Sequence, residues 1–284
     1  MIAVDQPASD SRRRALIEYL RANVDDGAAL TCAAAARCRS SVRASERFVE
    51  GQLSHVGPSY ELVVEGRSMR ILVVSKQVGG SLDNGGDRGH EHVSVDDRTA
   101  QVDSAKWGPN RHPRTNHMVG TELALKVLIN GDADGPREVR TANGDVHVFD
   151  CFALANATLC SAAKIDSSGE GSSTMFSNCQ RHLQETIRIL EPTVVIAQGW
   201  SAAAARVNGP STAWAVSTAF GRRTPVTDPT LAVCRQPWGD VAVITAYHPA
   251  RHWFSTSAPY WQRIAPLLLQ ARNMATRLPP GQSA

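Results

Sequence analysis

Hydrophobic positions along this chain alternate between two periods. Leu16, Tyr19, Leu20 and Val24 recur at helical spacing, which predicts a helix over residues 11–24 with Asp10 or Ser11 as its cap. The alanine-rich run between Cys32 and Cys38 also suits a helix. Arg70-Ile-Leu-Val-Val-Ser75 is short, β-branched and continuous, the pattern of a strand buried on both faces. It runs into Lys76-Gln-Val-Gly-Gly80, and a strand followed by a glycine turn is a common place for an α/β protein to build a site. From residue 81 to about residue 116, Gly, Asp, Arg and His predominate and predict a long surface loop.

Further along, a helix is expected over 118–129, a strand over 146–152 and a serine- and glycine-rich loop over 167–174. Cys179, Leu183, Thr186, Ile187 and Leu190 mark one face of a helix that stops before Pro192. Val194-Val-Ile-Ala-Gln198 reads as a second buried strand, closed by Gly199 and followed by an alanine-rich helix. Val241-Ala-Val-Ile-Thr245 is a third, running into Ala246-Tyr-His-Pro-Ala250, and a last helix is expected over 258–277. Strands alternating with helices predict an α/β fold, a three-layer α/β/α sandwich around a mainly parallel central sheet. An N-terminal helical segment (1–58) and an α/β domain (59–278) are expected to form one compact unit.

Composition narrows the classes. A chain of 284 residues can bury a sizeable core without disulfides. The net charge of +3 excludes a polybasic tail but leaves room for a local basic patch. Met1-Ile-Ala-Val-Asp-Gln-Pro lacks a cationic start followed by an apolar core, so no secretory signal is expected. No apolar run approaches the roughly 20 residues that span a bilayer. The expected compartment is the cytoplasm, where structural disulfides are rare. Six cysteines there point to metal ligands or to plain core residues.

Three features carry candidate chemistry. Cys32 and Cys38 form a C-x5-C pair, and Cys160 and Cys179 a C-x18-C pair. Four thiolates brought together by folding suit an iron–sulfur cluster or zinc, and the same residues also suit a buried apolar core. His248 lies just past a buried strand, where an imidazole can either donate to a developing negative charge or satisfy backbone. Asn156, four residues before Cys160, offers a donor and an acceptor side by side, fit for a base edge or for a turn, and Gln77 shares that ambiguity.

Taken in order, Asn156-Ala-Thr-Leu-Cys160, the run from Asn178-Cys179 through Leu190-Glu-Pro-Thr-Val-Val-Ile-Ala-Gln-Gly199, and Ala246-Tyr-His-Pro-Ala250 are specific. The chain resembles the uracil-DNA glycosylase superfamily, most closely its branch with an iron–sulfur cluster, over roughly residues 30 to 275. The resemblance implies a 4Fe–4S cluster bound by Cys32, Cys38, Cys160 and Cys179, with Cys151 and Cys234 left in the core. It implies that a damaged base is flipped out of DNA into a pocket. His248 would then stabilise negative charge on the departing base through its O2, and Asn156 would accept from uracil N3–H and donate to O4. Cytosine, with a donor at N4, would be rejected.

Departures from the family pattern fall around the water. The branch has G-E-A-P-G after its first strand, where the glutamate positions the attacking water; here Lys76 stands in the acid's place and Val78 in the proline's. Gln77 occupies the position where other branches carry Asp or Asn. Met118, before Val119-Gly120, replaces the aromatic that stacks on uracil, and Gly79 completes the base-binding set. The N-terminal cysteine spacing is wider than the branch's C-x2-C. Arg251 and His252 follow the His-Pro turn, which in this family presses on the minor groove; with Arg222, Arg223, Arg111 and Arg114 they form the expected DNA surface. The expectation is a monomeric glycosylase acting on uracil or a related deaminated base in DNA. The alternatives are a relative that binds nucleic acid or a base without hydrolysis, and an iron–sulfur redox or sensing protein that would leave Asn156 and His248 idle.

Overall fold

The structure is a computed structural model that describes residues 2–27, 29–50, 54–75, 95–106, 116–163, 171–198 and 229–276. Its first part comprises β1 (Ile2–Val4), α1 (Gln6–Asn23), α2 (Ala35–Ser40), β2 (Arg47–Val49), β3 (His55–Val56), β4 (Leu62–Val64), β5 (Arg67–Met69) and β6 (Ile71–Ser75). There follow α3 (Val95–Lys106), α4 (Asn116–Asn130), β7 (Glu138–Thr141), β8 (Gly144–His147), a 3-10 turn (Val148–Asp150), β9 (Phe152–Asn156) and β10 (Ser161–Ala163). The last part holds α5 (Ser173–Leu190), β11 (Val194–Gln198), β12 (Thr230–Gln236), β13 (Gly239–Ala246), α6 (Pro249–His252) and α7 (Trp261–Thr276).

The fold is mixed α/β. Six strands form the main sheet in the order β12-β13-β11-β6-β9-β3. β13, β11, β6 and β9 run parallel, while β12 and β3 add antiparallel edges. The continuous apolar runs are explained by burial on both faces. Ile71, Val73, Val194, Ile196 and Ile244 join a cluster with Leu125 and Leu128 of α4 and Ile264 and Leu268 of α7. Their alternate neighbours Leu72, Val74, Val195 and Val243 join a second cluster with Leu16 and Leu20 of α1 and Leu183 and Ile187 of α5.

Several expectations are corrected. The first helix begins at Gln6, because Asp5 rather than Asp10 or Ser11 accepts from the Ala8 N–H and Pro7 fits the first turn. Within the stretch expected to be a loop, residues 95–106 form α3, which buries Val102 and Ala105. The strand expected over 146–152 is broken by the 3-10 turn, which His147 and Asp150 cap reciprocally. Val148 and Phe149 in that turn are fully buried, so the apolar pattern runs unbroken through it. The stretch 1–58 is not wholly helical: β1 pairs with β4 and β7, and β3 pairs with β9. The pairings of β1 complete a second, five-stranded sheet, β5-β4-β1-β7-β8, made of strands too short to announce themselves, while β3 edges the main sheet. The helix expected after Gly199 lies outside the described residues. Among those residues no helix is long and apolar enough to cross a membrane.

A buried ion network ties α1 to both sheets. Glu61 accepts from Arg12 Nε at 2.9 Å and from Arg70 Nη1 at 2.8 Å. Arg12 also reaches Glu191 at 2.8 Å, and Arg70 Nε donates to the Glu191 carbonyl.

Candidate functional site

Four strand ends make one row. Asn156 closes β9 opposite Ser75 of β6, and Gln198 closes β11 opposite Ala246 of β13, with Ala197 opposite Val74 between them. This is the carboxyl edge of the parallel strands, where open α/β sheets place their ligands. His248 stands two residues beyond Ala246, immediately before α6.

Asn156 is 4% exposed, and its Nδ2 has no hydrogen-bond partner among the described residues. Leaving a buried amide donor unsatisfied costs about 1–3 kcal/mol. Its position at the end of a fully buried strand gives it little freedom to turn away.

A residue that sequence reasoning missed joins Asn156 and His248 in this row. His117, in the first turn of α4, places Nε2 2.7 Å from Gln198 Oε1 and 3.3 Å from Ser75 Oγ. Gln198 Nε2 donates to Thr121 Oγ1, which orients the amide so that Oε1 faces the imidazole. The His117 Nε2 therefore carries the proton and donates. Burial, and next the neighbouring His248, lower the His117 pKa to about 3 against the opposing bond to Gln198. The ring is neutral at physiological pH. It stacks on His248 with centroids 4.7 Å apart at 28°. Met118, expected against the base, is partly buried and packs on the main core; the ring that meets His248 comes from the residue before it. The signal was a ring-bearing residue beside the V-G pair.

Gly120 explains why α4 can come so close. A Cβ there would sit 2.4 Å from the Cβ of Pro249 and 3.2 Å from the Trp253 carbonyl. Gly120→Ala is expected to lower stability by about 1–3 kcal/mol through overpacking, overriding the gain of about 1 kcal/mol that alanine brings to a helix. Denaturant titration checks the sign: a more stable variant would mean that α4 and the His-Pro turn are not in tight contact.

The turn itself is firmly held. Trp253 Nε1 donates to the Tyr247 carbonyl at 2.6 Å, and the Tyr247 N–H donates to Tyr260 Oη at 3.0 Å. His252 is exposed and stacks on Tyr247 at 4.2 Å. Arg251 lies on α6. Lys76, Gln77, Gly79, Arg111, Arg114, Arg222 and Arg223, and the side chain of Arg251, fall outside the described residues.

The cysteines form a second grouping. Cys38 on α2 and Cys160 share a small apolar cluster with Met175. Cys179 on α5 lies within electrostatic reach of Cys38 and Cys32. Cys38, Cys160 and Cys179 are buried and Cys32 is partly exposed. Burial pushes the Cys38 thiol up and Cys179 up to about 12, so ionising them calls for a strong positive partner such as a metal. Cys179 Sγ accepts from the Leu159 N–H at 3.4 Å and Cys38 Sγ from Asn178 Nδ2 at 3.3 Å. Such donors suit metal-bound thiolates, and cysteine sulfurs are the ligand type that iron–sulfur clusters take. Among the described residues, no three His, Cys, Asp or Glu side chains form a ready-made set around a single metal ion. Cys151 and Cys234 sit apart in the two main cores.

His182, also missed from sequence, borders this grouping one helical turn after Cys179. Its Nδ1 is 2.8 Å from Tyr19 Oη and its Nε2 is 3.5 Å from Cys32 Sγ. Burial, and next Arg181, lower its pKa to about 4. The i, i+3 spacing after Cys179 was the available clue.

No family model and no curated protein matches the chain.

Proposed function

We propose that the protein is a uracil-DNA glycosylase-like enzyme of three-layer α/β/α architecture, which excises uracil or a related deaminated base by hydrolysing its N-glycosidic bond. The observation that carries this reading is the Asn156 Nδ2, without a partner among the described residues and buried at the carboxyl edge of the sheet in the same row as the His117–His248 pair. A flipped uracil supplies what that amide lacks: its O4 accepts from Nδ2 and its N3–H donates to Oδ1. Cytosine presents a donor to a donor and leaves the amide still unsatisfied. His248 donates to O2 as negative charge grows on the leaving base. His117 holds the His248 ring from one side and, being neutral, adds no competing positive charge.

Cys32, Cys38, Cys160 and Cys179 would hold a 4Fe–4S cluster. When bound, the cluster supplies a rigid clamp between the N-terminal segment, the stretch after Asn156 and α5. Exposed His252, next to Arg251 in the sequence, would meet the DNA backbone from the same turn.

The test is incubation with single-stranded DNA carrying one uracil, followed by alkali. Strand breaks are expected at uracil and none at a cytosine in the same place. Asn156→Ala is expected to lower kcat/KM on uracil by about a hundredfold, the scale of losing one preorganised donor. With Lys76 in the acid's place, the second reading is binding without hydrolysis. Salt-sensitive DNA binding without breaks would establish it.

A further inference from the structure

We infer that His182 is a working part of the cysteine site: its Nε2–H, oriented by Tyr19, is the hydrogen-bond donor to the Cys32 sulfur. The inference rests on the reading that the four cysteines hold an iron–sulfur cluster.

Both imidazole nitrogens of His182 face partners from other parts of the chain. Tyr19 on α1 approaches Nδ1 at 2.8 Å, and Cys32 approaches Nε2 at 3.5 Å. A ligating Cys32 is a thiolate and can only accept. The proton must then sit on Nε2, and the Tyr19 hydroxyl donates to Nδ1. Arg181 Nε donates to Nε2 at 3.3 Å and Nη2 lies 3.9 Å from the Cys32 sulfur; a ligating Cys32 thiolate would move the proton to Nε2 and shift the guanidinium's bond to the sulfur. Of the four sulfurs, Cys32 belongs to the one cysteine that is partly exposed. Cys38 and Cys179 receive their donors from Asn178 and the Leu159 backbone, and His182 supplies the equivalent bond at the exposed corner. Donors of this kind fix a ligand's orientation and draw charge from its sulfur. Tyr19, on α1, thereby couples that helix to the metal site.

The experiment uses full-length protein purified without oxygen. Iron and sulfide are quantified, and the iron–cysteine stretching bands are recorded by resonance Raman in H2O and D2O. The expected result is a D2O-sensitive band in wild type that His182→Ala removes and His182→Gln, which retains an N–H, restores. Iron release to a chelator should be about tenfold faster in His182→Ala than in wild type, the scale of losing one second-shell partner. Should His182→Ala fail to fold, His182→Gln and Tyr19→Phe decide: the first must keep the band and the second must weaken it. An unchanged isotope effect in iron-loaded His182→Ala overturns the role of His182 alone. Wild type purified without iron overturns the cluster reading and this inference with it.

Discussion

A His248→Ala protein is expected to release uracil about 10²–10³-fold more slowly, the usual consequence of deleting one preorganised donor to a developing anion. The loss should fall on kcat, because the donor matters most once charge has moved onto the base. DNA binding should survive, since the backbone of the turn is held independently through Tyr247, Trp253 and Tyr260. Single-turnover measurement on uracil-containing oligonucleotide, alongside binding to the same strand, separates the two effects. Unchanged turnover in this variant would remove His248 from the chemistry and with it the proposed departure of the base as an anion. A raised KM at constant kcat would instead assign it to ground-state binding.

Removing the Glu61 carboxylate should have the largest effect on stability. Glu61→Ala leaves Arg12 and Arg70 facing each other, and the Arg70 side chain is only 9% exposed. Breaking a buried pair from one side costs about 3–5 kcal/mol. Burial acts to raise the Glu61 pKa, but Arg70, the hydroxyl of Ser68 and Arg12 outweigh it and hold the carboxyl below its ordinary value. A carboxylate depressed on folding stabilises above its unfolded pKa, and that contribution is lost as pH falls through the folded value. Urea titrations at neutral and acid pH should therefore show the variant's deficit shrinking under acid. The exposed pair Arg235–Asp240, with side chains 88% and 58% exposed, is the contrast, and Arg235→Ala should cost no more than about 1 kcal/mol. Equal costs at the two sites would mean that the Glu61 network contributes no more than a surface pair.

The main sheet was legible where both faces of a strand are buried. Residues 71–75, 194–198 and 241–245 carry that burial in their continuous apolar runs. The five-stranded sheet was not legible, because strands of three or four residues such as Arg67–Met69 are too short to express a period. α3 was hidden for a related reason: among its described side chains the buried apolar ones are Val102 and Ala105, too few for a stripe. At the candidate site, His248 could be found because it follows a recognisable strand, and Asn156 because it stands four residues before Cys160. His117 and Gln198 could not be paired from sequence. Their contact depends on the register that brings residues 75, 156, 198 and 246 level, and no local pattern encodes register between distant strands. His182 was recoverable from its spacing to Cys179, but its approach to Cys32 depends on how the N-terminal segment docks.

The position of β1 has a consequence for how the molecule is made. Its three residues lie between β4 and β7, so residues 2–4 cannot be enclosed until residues 138–141 have been synthesised. During translation at about 5–20 residues per second, that interval lasts several seconds to half a minute. Until then the early three-stranded sheet β5-β4-β1 presents the unpaired edge of β1, open to chaperones or to other nascent chains. Slow closure of this sheet, governed by contacts far apart in sequence, makes it the natural late step of folding.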